Sequence, residues 1–288
     1  MKKALLASAV LFASSAAYAA DYGVVHPFYT PAKGKTVSVT ALDYEHRAEK
    51  NKGDDQKTRG AEIELSETLE LGVTDNFQVG VDIARSWETA KAKSGVWNIQ
   101  FKTREYINTW GIKAGYNIIN DGKAFLNTSL KYGQDVTKDD NPFNDDDEHG
   151  KYVKIDVFGG YNFDKATIFG GIAYERQIDG EKQIVYPWGN VDQTEKTKIY
   201  SLKVGAFKQI NKEFSAYTSL SMEIDRTTGD KEKEYWWNIG ADYSIAKNMA
   251  VETSASYMLD DDADNRILGN NRDVHRGYKV GVDFKIAF

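Results

Sequence analysis

Large apolar residues recur at every second position over long stretches of this chain. At the C-terminal end Tyr278, Val280, Val282, Phe284, Ile286 and Phe288 alternate with Lys279, Gly281, Asp283, Lys285 and Ala287. A period of two places the first set on one face of a β-strand and the second set on the other. The same alternation runs through Tyr106–Tyr116, Val153–Phe163, Phe214–Ile224 and Tyr235–Ile245, and helix-period patterning is hard to find. Followed along the chain, it predicts about twelve strands. They fall at 35–46, 60–73, 77–88, 103–118, 123–134, 151–163, 166–177, 197–209, 213–226, 234–245, 249–260 and 275–288.

The connections come in two kinds that alternate. Short turns sit at Thr74-Asp75-Asn76, Asn120-Asp121-Gly122, Asp164-Lys165, Asn211-Lys212 and Ala246-Lys247-Asn248. Long polar stretches sit at 47–59, 89–102, 135–150, 178–196, 227–233 and 261–274. Short-long alternation with an even strand number predicts an all-β, antiparallel up-and-down barrel with both termini at the short-turn end. A transmembrane barrel has this layout, with short periplasmic turns and long extracellular loops.

One spacing bears on the membrane directly. Phe77 to Trp87, Tyr106 to Tyr116 and Tyr278 to Phe288 are each ten residues apart on the apolar face. Ten strand steps cover roughly 33 Å, and a tilt near 40° projects them onto about 25 Å, the height of the apolar band between aromatic girdles. One girdle holds Trp87, Tyr106, Tyr132, Tyr174, Tyr200, Tyr235, Tyr257 and Tyr278; the other holds Phe77, Tyr116, Phe163, Phe214, Tyr243 and Phe288. A soluble β-sandwich also alternates, but it predicts an apolar interior with aromatics scattered through it. Here the second face is charged and the aromatics gather at strand ends.

The remaining composition narrows the classes. Met1–Ala19 reads as a cleaved secretory signal, with Lys2 and Lys3, an apolar run from Ala4 to Ala17, and Ala17-Tyr18-Ala19 as the cleavage site. Without its two lysines the chain carries 35 basic and 43 acidic residues, a balance of −8 that argues against a nucleic-acid partner. The absence of Cys excludes disulfides, thiolate nucleophiles and zinc-thiolate sites. After the signal no apolar run approaches eighteen residues, so the sequence offers no membrane helix. The domain reading is a signal at 1–19, a short periplasmic segment at 20–34 made a poor strand by Pro27 and Pro31, and a barrel at 35–288.

The last strand, Tyr278 to Phe288, resembles the terminal assembly signal of Gram-negative outer-membrane β-barrel proteins, with alternating apolar residues and a chain-terminal aromatic. The resemblance covers the whole mature chain as architecture and this strand as a motif. It implies an outer-membrane location, contact with lipid and lipopolysaccharide, and recognition of Tyr278, Val280, Val282, Phe284, Ile286 and Phe288 by the barrel-assembly machinery. The motifs that mark particular solute families or barrel enzymes are not evident.

If the apolar face meets lipid, its complement lines the lumen. The acidic candidates are Glu62, Glu64, Glu70, Asp82, Glu105, Asp156, Glu175, Glu223, Asp225, Asp242, Glu252 and Asp283. The basic candidates are Lys113, Lys131, Lys154, Lys203, Lys279 and Lys285. Such charges need water or partners across the lumen to stay ionised, so a hydrated channel and a plug of paired side chains both satisfy them. Twelve strands give a bore between that of filled eight-strand barrels and wide porins. The functional expectation is a narrow porin-like channel for small polar solutes with a weak preference for cations. The alternative is a non-conducting structural or surface-interaction protein. Tyr152, Phe158, Phe169, Tyr217 and Trp236 fall on the lumen face, where filling space explains them better than stacking on sugars.

Catalysis and metal binding find less support. Barrel hydrolases pair a nucleophile or water with a base, usually His. His26, His46, His149 and His275 are followed two positions on by Phe28, Ala48, Lys151 and Gly277, so no His-x-Ser pair occurs. Asp273-Val274-His275 superficially resembles the Asp-x-His of omptin proteases, with Asp54-Asp55 the nearest companion pair, but no supporting pattern surrounds either. The expectation is a protein that is not an enzyme and needs no cofactor. Asp260, Asp262 and Asp264 open with calcium-loop spacing, yet the sixth and twelfth positions are Asn265 and Asn271 instead of Gly and Glu. With Asp139, Asp140, Asp145, Asp146, Asp147 and Glu148 they read as solvated acidic loops.

Overall fold

The computed structural model describes residues 30–51, 57–93, 100–139, 148–163, 166–186, 189–194, 197–227, 230–265 and 271–288. The expected signal at 1–19, residues 20–29 with Pro27 and His26, Asp54-Asp55, the acidic run from Asp140 to Asp147 and the Asp164-Lys165 turn lie outside them. The strands are β1 (Thr36–Asn51), β2 (Lys57–Gly72), β3 (Phe77–Lys93), β4 (Gln100–Asn120), β5 (Ala124–Asp139), β6 (Glu148–Phe163), β7 (Ala166–Tyr186), β8 (Gly189–Thr194), β9 (Thr197–Gln209), β10 (Phe214–Thr227), β11 (Asp230–Ala246), β12 (Met249–Asn265) and β13 (Asn271–Ala287).

All strands but β8 form a closed antiparallel barrel of 12 strands, in which β7 pairs directly with β9 and β1 pairs with β13. Closure removes every free edge within the ring, which a membrane demands of a sheet. The seam runs from Val37 opposite Ala287 to Asn51 opposite Arg272, with a bulge between Ala48 and Glu49. Phe288 finishes it by exchanging backbone hydrogen bonds with Thr36. β8 stands outside the ring and pairs only with Glu181–Tyr186, the far end of β7.

The barrel strands match the expected twelve in order and pairing and overrun them at the long-loop end. β1 continues to Asn51, β3 to Lys93 and β7 to Tyr186. Beyond the apolar band both faces of a hairpin are polar, so the alternation that reveals a strand fades while the backbone ladder continues. The same effect overturns the reading of Asp260, Asp262 and Asp264 as loop residues. They lie within β12, with Asp262 opposite Lys233 and Asp264 opposite Lys231.

The short turns are closed by side chains that mimic the backbone. Thr74 Oγ1 accepts the N–H groups of Asn76 and Phe77 at 3.2 and 2.9 Å. Asn211 Oδ1 accepts those of Glu213 and Phe214, both at 2.8 Å. Asp121 accepts those of Lys123 and Ala124 at 2.9 and 2.7 Å, which holds its carboxyl below the usual range. Gly122 beside it takes a φ of 94°, a left-handed conformation that favours glycine.

Residues 30–35 cross this same end. Lys33 bridges Gly72, Gly34 donates its N–H to Gly72 O at 2.7 Å, and Gly72 donates to Lys35 O at 3.0 Å. A Cβ on Gly72 would lie 2.2 Å from Ala32 O, so the strap needs glycine there. Thr30 is buried and its Oγ1 accepts a hydrogen bond from Asn117 Nδ2 at 3.3 Å.

The two faces are inverted relative to a soluble protein. Ile83 is 60% exposed on the outside, and Leu42, Ile112, Ile172, Val204, Leu220 and Ile245 are exposed around the ring. Asp242 on the inside is fully buried, at 0%. Soluble monomers do not carry a continuous apolar belt of this extent; hydrocarbon is the solvent such a surface requires.

Candidate functional site: the lumen

The barrel register brings side chains from distant parts of the chain onto two different inner walls. The first spans β1 to β4. At one level Glu45 is opposite Glu62, Glu62 opposite Glu88, and Glu88 opposite Glu105. One step toward the short turns come Asp43, Glu64 and Ser86, with Ser86 donating to Glu64 at 3.1 Å. Next is a level of small residues, Ala41, Ser66, Ala84 and Thr109. Ala41, Ser66 and Ala84 are only half-buried. Like charges directly opposite one another destabilise a sheet, so a row of carboxylates must be balanced by cations or water.

Part of that balance is visible. Lys131 on β5 reaches across Gly111 to Asp82 at 2.7 Å, and Lys113 holds Glu70 at 2.7 Å. At the seam Glu45 binds Arg47 and, at 2.9 Å, Lys279. Arg47 crosses from β1 to Glu234 on β11, whose carboxylate also accepts Trp236 Nε1 at 2.9 Å. Lys279 lies 4.2 Å and Arg47 5.7 Å from the Trp236 ring, a cation–π stack buried beside Met258. Nearer the short turns Lys285 pairs with Asp242 at 3.1 Å and with Glu252, which accepts the Tyr217 hydroxyl at 2.8 Å.

The second wall spans β5 to β10 near the short turns and is aromatic. Phe125, Phe158, Phe169 and Phe207 form a buried cluster with Tyr217 packed against it. All of these rings except Phe207 cover a glycine on the next strand. A Cβ on Gly160 would meet Phe125 at 2.5 Å, one on Gly171 would meet Phe158 at 2.6 Å, and one on Gly205 would meet Phe169 at 2.6 Å. Tyr217 covers Gly240 at 2.3 Å, and higher in the barrel Tyr152 covers Gly133 at 2.4 Å. The missing side chains let rings lie flat on the neighbouring backbone, an arrangement that fills the interior and pins register.

All eighteen charged residues expected on the lumen face project inward. Glu62, Glu64, Glu70, Glu105, Lys131, Lys154, Lys203, Glu223, Asp225 and Asp242 are buried; Asp82, Lys113, Asp156, Glu175, Glu252, Lys279, Asp283 and Lys285 are half-buried. The structure adds Asp43, Glu45, Glu88, Asp135 and Glu234 on the acidic side and Arg47 on the basic side. Their parity with Glu64, Glu62 and Lys131 was the available signal. It is blurred on β1 by Val37, an apolar residue on the inner face. Phe125 and Phe207 share parity with Lys131 and Lys203 and were likewise detectable. His46 points outward and stacks on Tyr278 at 5.3 Å, away from the lumen. The side chain of His275 lies outside the described residues.

Comparison with known proteins agrees with this geometry at the level of fold. No protein-family model matches the sequence, and no curated protein aligns with it. Among solved structures the chain is similar to an outer membrane channel from Pseudomonas putida F1, with a TM-score of 0.58 and 12% identity over 93% of this chain and 98% of that one. It is similar to the β domain of the Bordetella autotransporter BrkA, with a TM-score of 0.55 and 11% identity over 87% and 98%. A third likeness is to the transport unit of the autotransporter AIDA-I from Escherichia coli, with a TM-score of 0.54 and 11% identity over 88% and 90%. The chain therefore has the fold of the Gram-negative outer-membrane β-barrels.

Proposed function

We propose that this barrel is a narrow, porin-like conduit for small polar solutes across the outer membrane, with a weak preference for cations. The observation that carries the reading is the composition of the inner surface, where carboxylates on every wall outnumber the lysines and the one arginine described there. Water and solute would pass the row of glutamates and then the small-residue level of Ala41, Ser66 and Ala84 beside it. Carboxylates around a narrow bore raise cation occupancy, and their neighbours Lys113 and Lys131 temper that effect. The P. putida neighbour is an outer membrane channel, which agrees with conduction as a class of function. A charged interior disfavours an apolar cargo.

A second reading has its own observation. The paired groups are well shielded, with Lys131 and Lys154 at 4% and 3% exposure, as a closed lumen with a structural or surface-contact role requires. Planar-bilayer recording of reconstituted, correctly folded protein separates the two. Discrete conductance steps support the conduit, and a silent bilayer leaves the structural reading. Neither reading assigns a catalytic role to the lumen.

Lipid is the partner outside. Arg59, Lys91, Arg104, Lys138, Arg176, Lys198, Arg226 and Arg276 are exposed on the outward face beyond the girdle at the long-loop end. A cationic ring at that level matches the phosphates of lipopolysaccharide in an outer leaflet and sets the long loops outside the cell. Insertion would rest on the terminal strand. Deleting Phe288 should reduce the heat-modifiable barrel recovered from the outer membrane, and unchanged recovery would remove the assembly role.

A further inference from the structure

The outward face between the girdles is almost free of charge. Among the described residues, Glu67 on β2, Arg85 on β3 and, one step from the short-turn rim, Lys208 on β9 are its charged side chains. Glu67 lies opposite Ile83, four residues below Trp87, which puts it about 10 Å inside the apolar band. Arg85, opposite Leu65, is the diagonal neighbour of Glu67 on the same face.

A carboxylate at that depth is costly against lipid and marks a surface that does not stay in lipid. Ser38 and Thr40, outward on β1, donate hydrogen bonds to the two Glu67 oxygens, Ser38 at 2.5 Å. They supply donors without a counter-charge. Arg85 is held over the Trp87 and Tyr106 rings, at 5.5 and 5.9 Å, and its long side chain can swing toward the band centre. An acid and a base on adjacent strands at adjacent levels form a self-complementary pair under two-fold rotation. Leu42, Leu65, Val81 and Ile83, all exposed, surround them with an apolar surface.

We propose that the outward face of β1 to β3 is a contact surface for a second copy of this chain, in which Glu67 meets Arg85 of the partner subunit. The two-fold axis runs along the membrane normal, since both copies must keep the same orientation in the bilayer. It passes near Leu65 and Ile83, and each Glu67–Arg85 pair forms on one side of it. The contact removes four charges from lipid, two from each copy, and joins them as two pairs across the interface. It does not depend on whether the lumen conducts.

The chain has no cysteine, so a single introduced thiol reports the contact. Ile83→Cys, close to the axis, should give a covalent dimer on mild oxidation in native membranes. Val204→Cys, exposed on β9 on the far side of the ring, should not. In lipid nanodiscs or mild detergent the wild type should be dimeric, and Glu67→Gln should weaken the dimer at least tenfold. The double exchange Glu67→Arg with Arg85→Glu should restore it. Heat modifiability confirms folding for each variant. A wild type that is monomeric at every concentration overturns the proposal, as does equal cross-linking of the two cysteine variants. Cross-linking of Ile83→Cys to a different protein also overturns it and assigns the face to that partner.

Discussion

The carboxylate wall on β1–β4 and the aromatic wall on β5–β10 share strand geometry and register, yet they are stabilised by different physics. On the first, Lys131 holds Asp82 and Lys113 holds Glu70 across intervening strands. On the second, rings seat on glycines, as Phe158 does on Gly171 and Tyr217 on Gly240. On the first wall the glycines differ: a Cβ on Gly60, on the inner face of β2, would touch nothing within 4 Å, whereas one on Gly111 would meet the Lys131 side chain at 2.6 Å. One wall depends on charge balance; the other depends on the seating of rings on backbone.

The largest effects should come from removing a keystone of each wall. Lys131→Met strands the carboxylate of Asp82 and should cost about 3–5 kcal/mol of barrel stability. Adding Asp82→Leu should recover most of it, since removing both halves of a buried pair is close to neutral. Phe158→Ala should cost about 3–5 kcal/mol, with no single second change that restores it. Urea unfolding in lipid vesicles measures all three. Failure of Asp82→Leu to rescue would mean that the first wall, too, is held by packing.

Both walls depend on which face is inside, and a slip of one residue would exchange every side chain. Val282→Arg, outward near the middle of β13, should cost about 2–4 kcal/mol, while Asp283→Asn beside it should cost far less. Equal losses would contradict the assignment of faces. Smaller still are the glycine replacements. Gly171→Ala and Gly240→Ala force rings off their seats and should each cost about 1–3 kcal/mol. Gly60→Ala should change stability by no more than about 0.5 kcal/mol. A similar loss at all three positions would erase the distinction between the walls.

Alternation and turn chemistry made the barrel legible in the sequence, because lipid outside and charge inside give each strand two chemically opposite faces. The eighteen inward charges followed from parity alone. What parity cannot convey is which residues meet. Arg47 and Glu234 are 187 positions apart and join only once β1, β13, β12 and β11 are laid side by side. The seating of Phe169 on Gly205 likewise depends on the register between β7 and β9. β8 escaped because it pairs only with the far end of β7, outside the ring, and its sequence lacks the apolar alternation that reveals the barrel strands. Glu88 and Glu234 lie at the expected ends of their strands, where the apolar alternation stops and the inner face continues.

In the proposed conduit the charge of the inner surface governs what crosses the membrane. Reversal potential under a salt gradient tests it most directly, comparing wild type with a variant carrying Glu62→Gln, Glu64→Gln and Glu70→Gln. These three carboxylates project inward from β2 onto the carboxylate wall. The wild type should favour cations modestly, since salt screens the field over a Debye length of about 10 Å at 0.1 M. The variant should conduct with a reduced cation preference. An anion-selective wild type, or a variant with an unchanged reversal potential, would contradict the claim.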